Sequence, residues 1–402
     1  MTRILHHLAV VLLIVSCATK NNDQKALDGL ESIESPSGQN ASLPYLITGK
    51  NGVMYLSWVE HLDSGWVAFK YSAMIEGAWT EPALIATGND WFVNWADYPM
   101  LAIDESGNMI AHYLAKSAAG TYSYDVNIVY KPKNGEWSDP VVPHDDGTPT
   151  EHGFVTLLPL FDGHFRIVWL DGRNTGGHDQ SEPGAMTIRT AILDMEGNIT
   201  DQIELDDKVC DCCQTAGTIS AQGELIAYRN RSDEELRDIY YVRKINETWT
   251  VPESIYQDKW NIAGCPVNGP KMDAFGDLVA AAWFTAADGK PQVNLSFSME
   301  EHNFNDPFIV DDTDPLGRVD VVFIDKNAAA VSWLDGGDKA TIKYCIISND
   351  GSMSIPKVVA YTSGSRGSGF PQMTKTNNYL YFAWTSIKED KTSTVKVARQ
   401  KL

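Results

Sequence analysis

The segment VMYLSW at residues 53–58 indicates the fold, because related segments recur six more times along the chain. Each is an apolar run that ends on Trp or Tyr, and neighbouring terminal aromatics are 50 to 59 residues apart. The other runs are NMIAHY (108–113), HFRIVW (164–169), ELIAY (224–228), DLVAAAW (277–283), AAAVSW (328–333) and YLYFAW (379–384). Short apolar runs preceded by Gly-containing turns predict strands, so one unit is repeated seven times.

A second element follows most of these runs and consists of a turn, an aromatic residue and a proline. Examples are EGAWTEPALI (76–85), NGEWSDPVV (134–142) and NETWTVPESI (246–255). Each repeat then holds about four strands and no convincing helix. Four strands in roughly 50 residues, repeated in series, predict an all-β propeller with seven four-stranded blades. A six-bladed ring with an irregular insert and two stacked sandwiches are the alternatives.

The last repeat ends after TVKVAR (394–399), before an outer strand. The stretch at 30–46 resembles the strand-then-loop pattern of 358–373. We therefore expect residues near 28–35 to supply the fourth strand of the last blade and close the ring, which removes a free sheet edge. Residues 28–402 are then one propeller domain.

Residues 1–17 read as a secretory leader with an apolar run too short to span a bilayer. The string IVSC (14–17) resembles a bacterial lipobox, which implies lipidation of Cys17, and residues 18–27 read as a tether. Ala18 is not the Asp of inner-membrane retention, so we expect an outer-membrane or cell-surface protein held by its lipid alone. The net charge of −21 argues against nucleic-acid binding. We expect a monomer.

The aromatic–proline turns resemble degenerate Asp-boxes, as at 298–304 and 348–352. The chain is therefore similar to the sialidase-like (Asp-box) propeller superfamily, which implies recognition of an acidic glycan or a small anionic ligand. If it is an enzyme, the resemblance implies an exo-sialidase-like glycosidase. The Arg-Ile-Pro motif of catalytic sialidases is incomplete, since FRIV (165–168) lacks the proline and lies in the third repeat.

In a propeller, the connections between blades share one face with the connections between the second and third strands of each blade. This face, called the loop face below, carries most of the residues with chemical potential. Guanidinium groups and exposed indoles there suit acidic sugars. The candidates for ligand binding are Arg173, Arg229, Arg231, Arg318, Arg366, Trp91, Trp95 and Trp260. Asp233, Glu234 and Asp171 are the candidate catalytic carboxylates, because glycoside hydrolysis needs two flanking acids.

Four cysteines fall in two successive loops of the same face: Cys210, Cys212, Cys213 and Cys265. Outside the cytosol they are candidates for disulfides that join the two loops. The alternative is a copper or zinc site on these thiolates with a loop histidine such as His152 or His178. Cys345 lies in an alternating strand and is expected to be a buried thiol.

Two functional hypotheses remain from the sequence. The first is a surface lipoprotein that recognises, and in its stronger form hydrolyses, an acidic glycan without a cofactor. The second is a non-catalytic propeller whose cysteine loops bind copper or zinc, or another protein.

Overall fold

The computed structural model describes residues 29–176, 184–298, 303–337 and 339–402. The leader, Cys17, the proposed tether and the candidate ligand His178 lie outside the described residues. The first strands are β1 (Leu30–Ile33), β2 (Ala41–Thr48), β3 (Met54–His61), β4 (Val67–Ile75), β5 (Ala78–Trp79), β6 (Ala83–Gly88), β7 (Leu101–Ile103), β8 (Met109–Lys116), β9 (Tyr124–Lys131), β10 (His152–Pro159), β11 (Phe165–Asp171), β12 (Met186–Leu193) and β13 (Ile199–Val209). They are followed by β14 (Ala216–Ser220), β15 (Gly223–Arg229), β16 (Ile239–Ile245), β17 (Thr248–Trp249), β18 (Glu253–Ser254), β19 (Lys271–Phe275), β20 (Leu278–Thr285), β21 (Gln292–Ser298), β22 (Phe308–Asp311), β23 (Pro315–Asp325), β24 (Ala328–Asp335), β25 (Thr341–Ser348), β26 (Lys357–Tyr361), β27 (Gln372–Thr376), β28 (Tyr379–Ile387) and β29 (Ser393–Lys401).

These strands form seven antiparallel sheets, which confirms the seven-bladed propeller. Every recurring aromatic run lies in the second strand of its sheet, as in β3, β11 and β28. The second blade has three strands, β7 to β9, and a single bridge between Ile128 and Val141 at its outer position. In the described part of the chain, helical turns occur at Ala287–Gly289 and Arg366–Ser368, and no helix there is long and apolar enough to cross a membrane.

The ring is closed by β1, which pairs with β29 as the outer strand of the last blade. The register runs from Leu30 opposite Gln400 to Ile33 opposite Val397. Glu31 and Arg399 also form an ion pair of 2.8 Å across this seam. The prediction that residues near 28–35 complete the last blade is therefore confirmed.

Four tryptophans of the second strands are at most 1% exposed and anchor the packing between neighbouring blades. The indole N–H of each donates a hydrogen bond of 2.6 to 2.8 Å to a carboxylate, because a buried N–H needs an acceptor. The pairs are Trp58–Glu60, Trp169–Asp171, Trp283–Asp258 and Trp333–Asp311. In the first and third blades the acceptor lies two residues further along the same strand. In the fifth and sixth it comes from a loop or strand of the preceding blade.

Candidate functional site

A cavity of about 360 Å³ opens on the loop face between loops of several blades. Its lining comprises Phe92, Asn94, Trp95, Ala96, Tyr122, Tyr124, Glu151, Phe154, Asp211, Cys212, Cys265, Val267 and Arg366. A second cavity, of about 190 Å³, lies along the ring axis and is lined by first strands such as β2, β14 and β19. The loop-face cavity is the larger and carries aromatic, acidic and basic side chains together, so it is the candidate site.

One wall of the loop-face cavity is aromatic. Phe92 stacks on Tyr124 with ring centroids 4.1 Å apart and planes 12° apart, and Tyr122 meets the edge of Phe92 at 6.3 Å. Trp95 stacks on Phe370 with centroids 5.8 Å apart. Aromatic faces of this kind suit the apolar faces of sugar rings, while the neighbouring polar groups fix orientation.

Two side chains of this wall are joined by a short hydrogen bond: the phenol of Tyr124 donates to Glu151 Oε1 at 2.5 Å. Burial and, to a smaller extent, the charge of Asp211 raise the pKa of Glu151 to about 7, although the hydrogen bond from Tyr124 acts in the opposite direction. Burial also raises the pKa of Asp97, which accepts the backbone N–H of Phe154 at 2.8 Å. Glu151, on the cavity wall, therefore holds its proton more readily than an ordinary glutamate does.

Asp97 also explains why residue 153 is glycine. A Cβ at Gly153 would lie 2.1 Å from Asp97 Oδ2, far inside van der Waals contact. The close approach brings the start of β10 against the loop that precedes β7.

The cysteines behave in part as predicted. Cys212 and Cys265 form a disulfide on the cavity wall and so connect two successive loops. Cys210 and Cys213 are buried free thiols with their sulfurs 3.3 Å apart, and Cys345 is a buried free thiol in β25. The hydrogen bond with Cys213 lowers the pKa of Cys210 to about 6, and Arg237, whose Nη1 lies 3.1 Å from the sulfur, lowers it as well.

Of the predicted ligand-binding arginines, the structure places only Arg366 on the loop-face cavity. Arg229 is buried and donates to the carbonyl oxygens of Asn268 and Phe284. Arg318 is likewise buried and donates to loop carbonyls such as that of Gly369, at 2.8 Å. These two guanidiniums hold loops of the face in place.

The two remaining arginines pair with acids. Arg231 contacts Glu235 at 2.7 Å and Asp211 at 3.2 Å. Arg173 forms a bidentate ion pair with Asp171, with hydrogen bonds of 2.8 and 2.9 Å. Within the described chain, Arg366 itself has no ion-pair partner.

The three predicted tryptophans also divide. Trp95 lines the loop-face cavity. Trp91 stacks on Tyr113 with centroids 4.2 Å apart, and Trp260 is buried against Phe284 beneath the Arg229 guanidinium.

The three candidate catalytic carboxylates do not line this cavity. Asp233 is 89% exposed at its side chain and pairs with Lys208, and Glu234 is also exposed. Asp171 is fully buried under Trp169 and Arg173. Tyr124 and Glu151 are not among the predicted site residues, although both lie where a strand meets the loop face.

No protein-family model and no curated protein sequence matches the chain. Solved structures do match. The BP39L lectin from Burkholderia pseudomallei has a TM-score of 0.60 and 11% identity, over 90% of this chain and 95% of the lectin. A PL25 ulvan lyase has a TM-score of 0.57 and 11% identity, over 91% of this chain and 95% of the lyase.

Sialidases match less well, as in NanB from Streptococcus pneumoniae, with a TM-score of 0.47 and 12% identity over 92% of this chain and 70% of that enzyme. At these identities the likeness shows the fold alone. The Asp-box resemblance stays a prediction, and the stretch at 298–304 falls partly outside the described residues.

Proposed function

We propose that the loop-face cavity binds an acidic carbohydrate. The observation that carries this is the combination of an aromatic wall, Phe92, Tyr122 and Trp95, with the guanidinium of Arg366 in one cavity. The aromatic rings suit stacking on sugar rings, and Arg366 suits a carboxylate or sulfate because it has no ion pair with any described residue.

The structural neighbours support carbohydrate as the ligand class. One is a lectin and another an ulvan lyase, which was also solved bound to -[GlcA(1-4)Rha3S]-, an acidic sulfated sugar. A propeller hosts many functions, so the main support comes from the cavity's side chains and the neighbours only add to it.

The test is titration of the purified protein with uronate-containing and neutral oligosaccharides of equal length. Arg366→Gln is expected to weaken binding of the acidic series about tenfold and to leave the neutral series unchanged, since a charge-assisted bond contributes on the order of 1.5–3 kcal/mol. Tyr122→Ser should weaken both series. Lys326→Gln and Phe161→Ala, in exposed turns of the opposite face, are the matched controls. Equal affinity of wild type and Arg366→Gln for acidic sugars would refute the assignment.

Cleavage of the bound glycan is the second candidate, favoured by the Tyr124–Glu151 hydrogen bond in the cavity wall. Hydrolysis would release saturated reducing ends, whereas elimination would release an unsaturated uronate that absorbs in the ultraviolet. Loss of product in Tyr124→Phe and Glu151→Gln, with binding retained, would support catalysis. If the protein binds acidic glycans but releases no product from any of them, it acts as a lectin and not as an enzyme.

We also propose the cell envelope as location, with the lipobox-like string ending at Cys17 as support. Metabolic labelling with a radioactive fatty acid should mark the wild-type chain and not Cys17→Ser. The metal alternative on the cysteine loops would need four thiolates, of which the disulfide takes Cys212 and Cys265. Copper or zinc there stays a prediction, which the metal content of Cys210→Ser would test.

A further inference from the structure

The wall of the loop-face cavity has a second polar cluster behind it. Tyr124, the first residue of β9, is bridged in parallel to Glu151, which precedes β10. Successive side chains of an extended strand point to opposite sides, so Asp125 and His152 point away from the cavity. There they meet His144, from the loop between the second and third blades.

The two imidazole rings of this His-Asp cluster are stacked, with centroids 3.8 Å apart and planes 8° apart. Asp125 Oδ1 lies 3.5 Å from His152 Nδ1 and 4.0 Å from His144 Nε2. The side chains of His144 and His152 are 4% and 0% exposed, while Asp125, at 29%, connects the cluster to solvent. Three potential ligand atoms therefore lie within 4.8 Å of one another on one side of the rings.

None of these three atoms has a hydrogen-bond partner among the residues that the structure describes. Leaving a buried polar atom unpaired costs about 1–3 kcal/mol, so native proteins seldom tolerate several together. A lone-pair nitrogen that faces a carboxylate oxygen is also repulsive. The group is therefore arranged for a positively charged partner.

On the opposite side of the rings, carboxylates face the remaining nitrogens. Asp146 Oδ1 lies 3.2 Å from His144 Nδ1 and 3.3 Å from His152 Nε2, and Asp171 Oδ1 lies 3.7 Å from His152 Nε2. Asp146 Oδ1 and His152 Nε2 also form no hydrogen bond with a described residue. In metal sites the second ring N–H of a histidine commonly goes to a carboxylate, and Asp146 lies where it could take that role. Arg173 in turn holds Asp171.

We infer that His144, His152 and Asp125 bind one divalent transition-metal cation. Two imidazoles and one carboxylate suit zinc and its first-row neighbours, whereas calcium and magnesium prefer oxygen ligands alone. With neutral imidazoles, Asp125, Asp146 and Asp171 together with Arg173 give a formal charge of −2 around the site, which one divalent ion neutralises. Arg189, 4.0 Å from Asp171, does not change this sum because it is paired with Glu204. The parallel rings must tilt so that both lone pairs converge on the ion.

The site would also support the cavity wall. Asp125 and His152 belong to the two segments that present Tyr124 and Glu151, and an ion between them would fix the spacing of those segments. This consequence rests on the proposed function, whereas metal binding itself does not.

The test uses the full chain, purified without chelators, stripped with EDTA and titrated with zinc chloride by calorimetry, with metal content measured by mass spectrometry. Wild type is expected to bind one zinc per chain, and Asp125→Asn and His144→Gln to bind at least tenfold more weakly. Asp146→Asn should weaken zinc binding about 10–100-fold, which is the usual effect of removing a carboxylate that holds a metal-binding histidine. His164→Gln, a partly buried histidine in the turn between β10 and β11, is the matched control.

Asp125→Asn is nearly isosteric at a partly exposed position, and an unchanged circular dichroism spectrum would show that it folds. Wild-type protein that takes up no zinc, or takes up calcium in preference, would overturn the inference. So would zinc lost in Cys210→Ser but kept in His144→Gln. If zinc binds but its removal leaves glycan affinity unchanged, the metal site stands and its support of the wall is wrong.

Discussion

The indole of Trp283 donates its N–H at 2.7 Å to Asp258, a residue of the loop that joins the preceding blade to its own. The bond links two blades through their buried parts. It also places a carboxyl group where water is scarce, which makes the pair sensitive to pH.

Burial raises the pKa of Asp258 to about 6 from an ordinary value of 3.8. The folded state thus holds the proton more tightly than the unfolded chain. Protonated Asp258 therefore contributes on the order of 3 kcal/mol to the free energy of unfolding. This stabilisation is fully present below about pH 4 and is lost as the pH rises through about 6.

Asp258→Asn keeps an acceptor for Trp283 and removes the titration. Urea unfolding between pH 4 and 7.5 should show the variant gaining stability relative to wild type up to about pH 6 and no further. Parallel curves for the two proteins would contradict the prediction.

Replacing one of the four anchoring tryptophans tests the packing between blades. Trp58→Phe removes the donor to Glu60 and leaves a void, so the free energy of unfolding should fall by about 2–4 kcal/mol. Trp66→Phe, at a position 42% exposed, should change it by less than about 0.5 kcal/mol. Thermal unfolding by circular dichroism gives both values, and equal effects would show that the buried bond has no special weight.

The Cys212–Cys265 disulfide should stabilise the chain by about 4 kcal/mol, the loop-closure estimate for a separation of 53 residues. Cys265→Ser is expected to lower the melting temperature and to weaken glycan binding, since both cysteines line the cavity. Cys345→Ala, away from this face, should lower the melting temperature without altering affinity. Peptide mapping under non-reducing conditions checks the pairing directly, and a Cys210–Cys212 or Cys213–Cys265 link would contradict it.

Removal of residues 29–33 tests the closure of the ring. The deletion frees the edge of β29 and should lower the melting temperature and promote association between chains, measured by light scattering. Glu31→Gln removes only the exposed ion pair with Arg399 and should cost less than 1 kcal/mol. A deletion variant that stays monomeric and melts like wild type would show that β1 is dispensable.

The fold could be predicted from the sequence because each second strand repeats the same apolar run, and Trp283, Trp333 and Trp384 follow one another at nearly regular intervals. The closing strand was accessible because the last repeat lacks one and the residues after the tether can supply it. The repeated strand pattern and the need to close the ring together leave few alternative folds.

The candidate site could be predicted less well, because the type of a side chain and its position in a loop do not determine where that side chain points. Arg229 and Arg318 lie in the predicted loops, yet they turn inward to backbone carbonyls. Tyr124 and Glu151 are 27 residues apart in sequence, and a backbone bridge between neighbouring blades brings them into hydrogen-bond contact. The four cysteines could be assigned to two loops, but three pairings of four cysteines are possible and sequence does not choose among them.

The pairing of β1 with β29 also has a consequence for biosynthesis. The first six blades are each built from a continuous stretch of chain, whereas Glu31 and Arg399 are 368 residues apart. As the polypeptide emerges from its N-terminus at roughly 5–20 residues per second, β1 waits on the order of 20–70 s for its partner. A chain in which β1 has no partner strand is therefore an obligatory stage in the life of every newly made molecule.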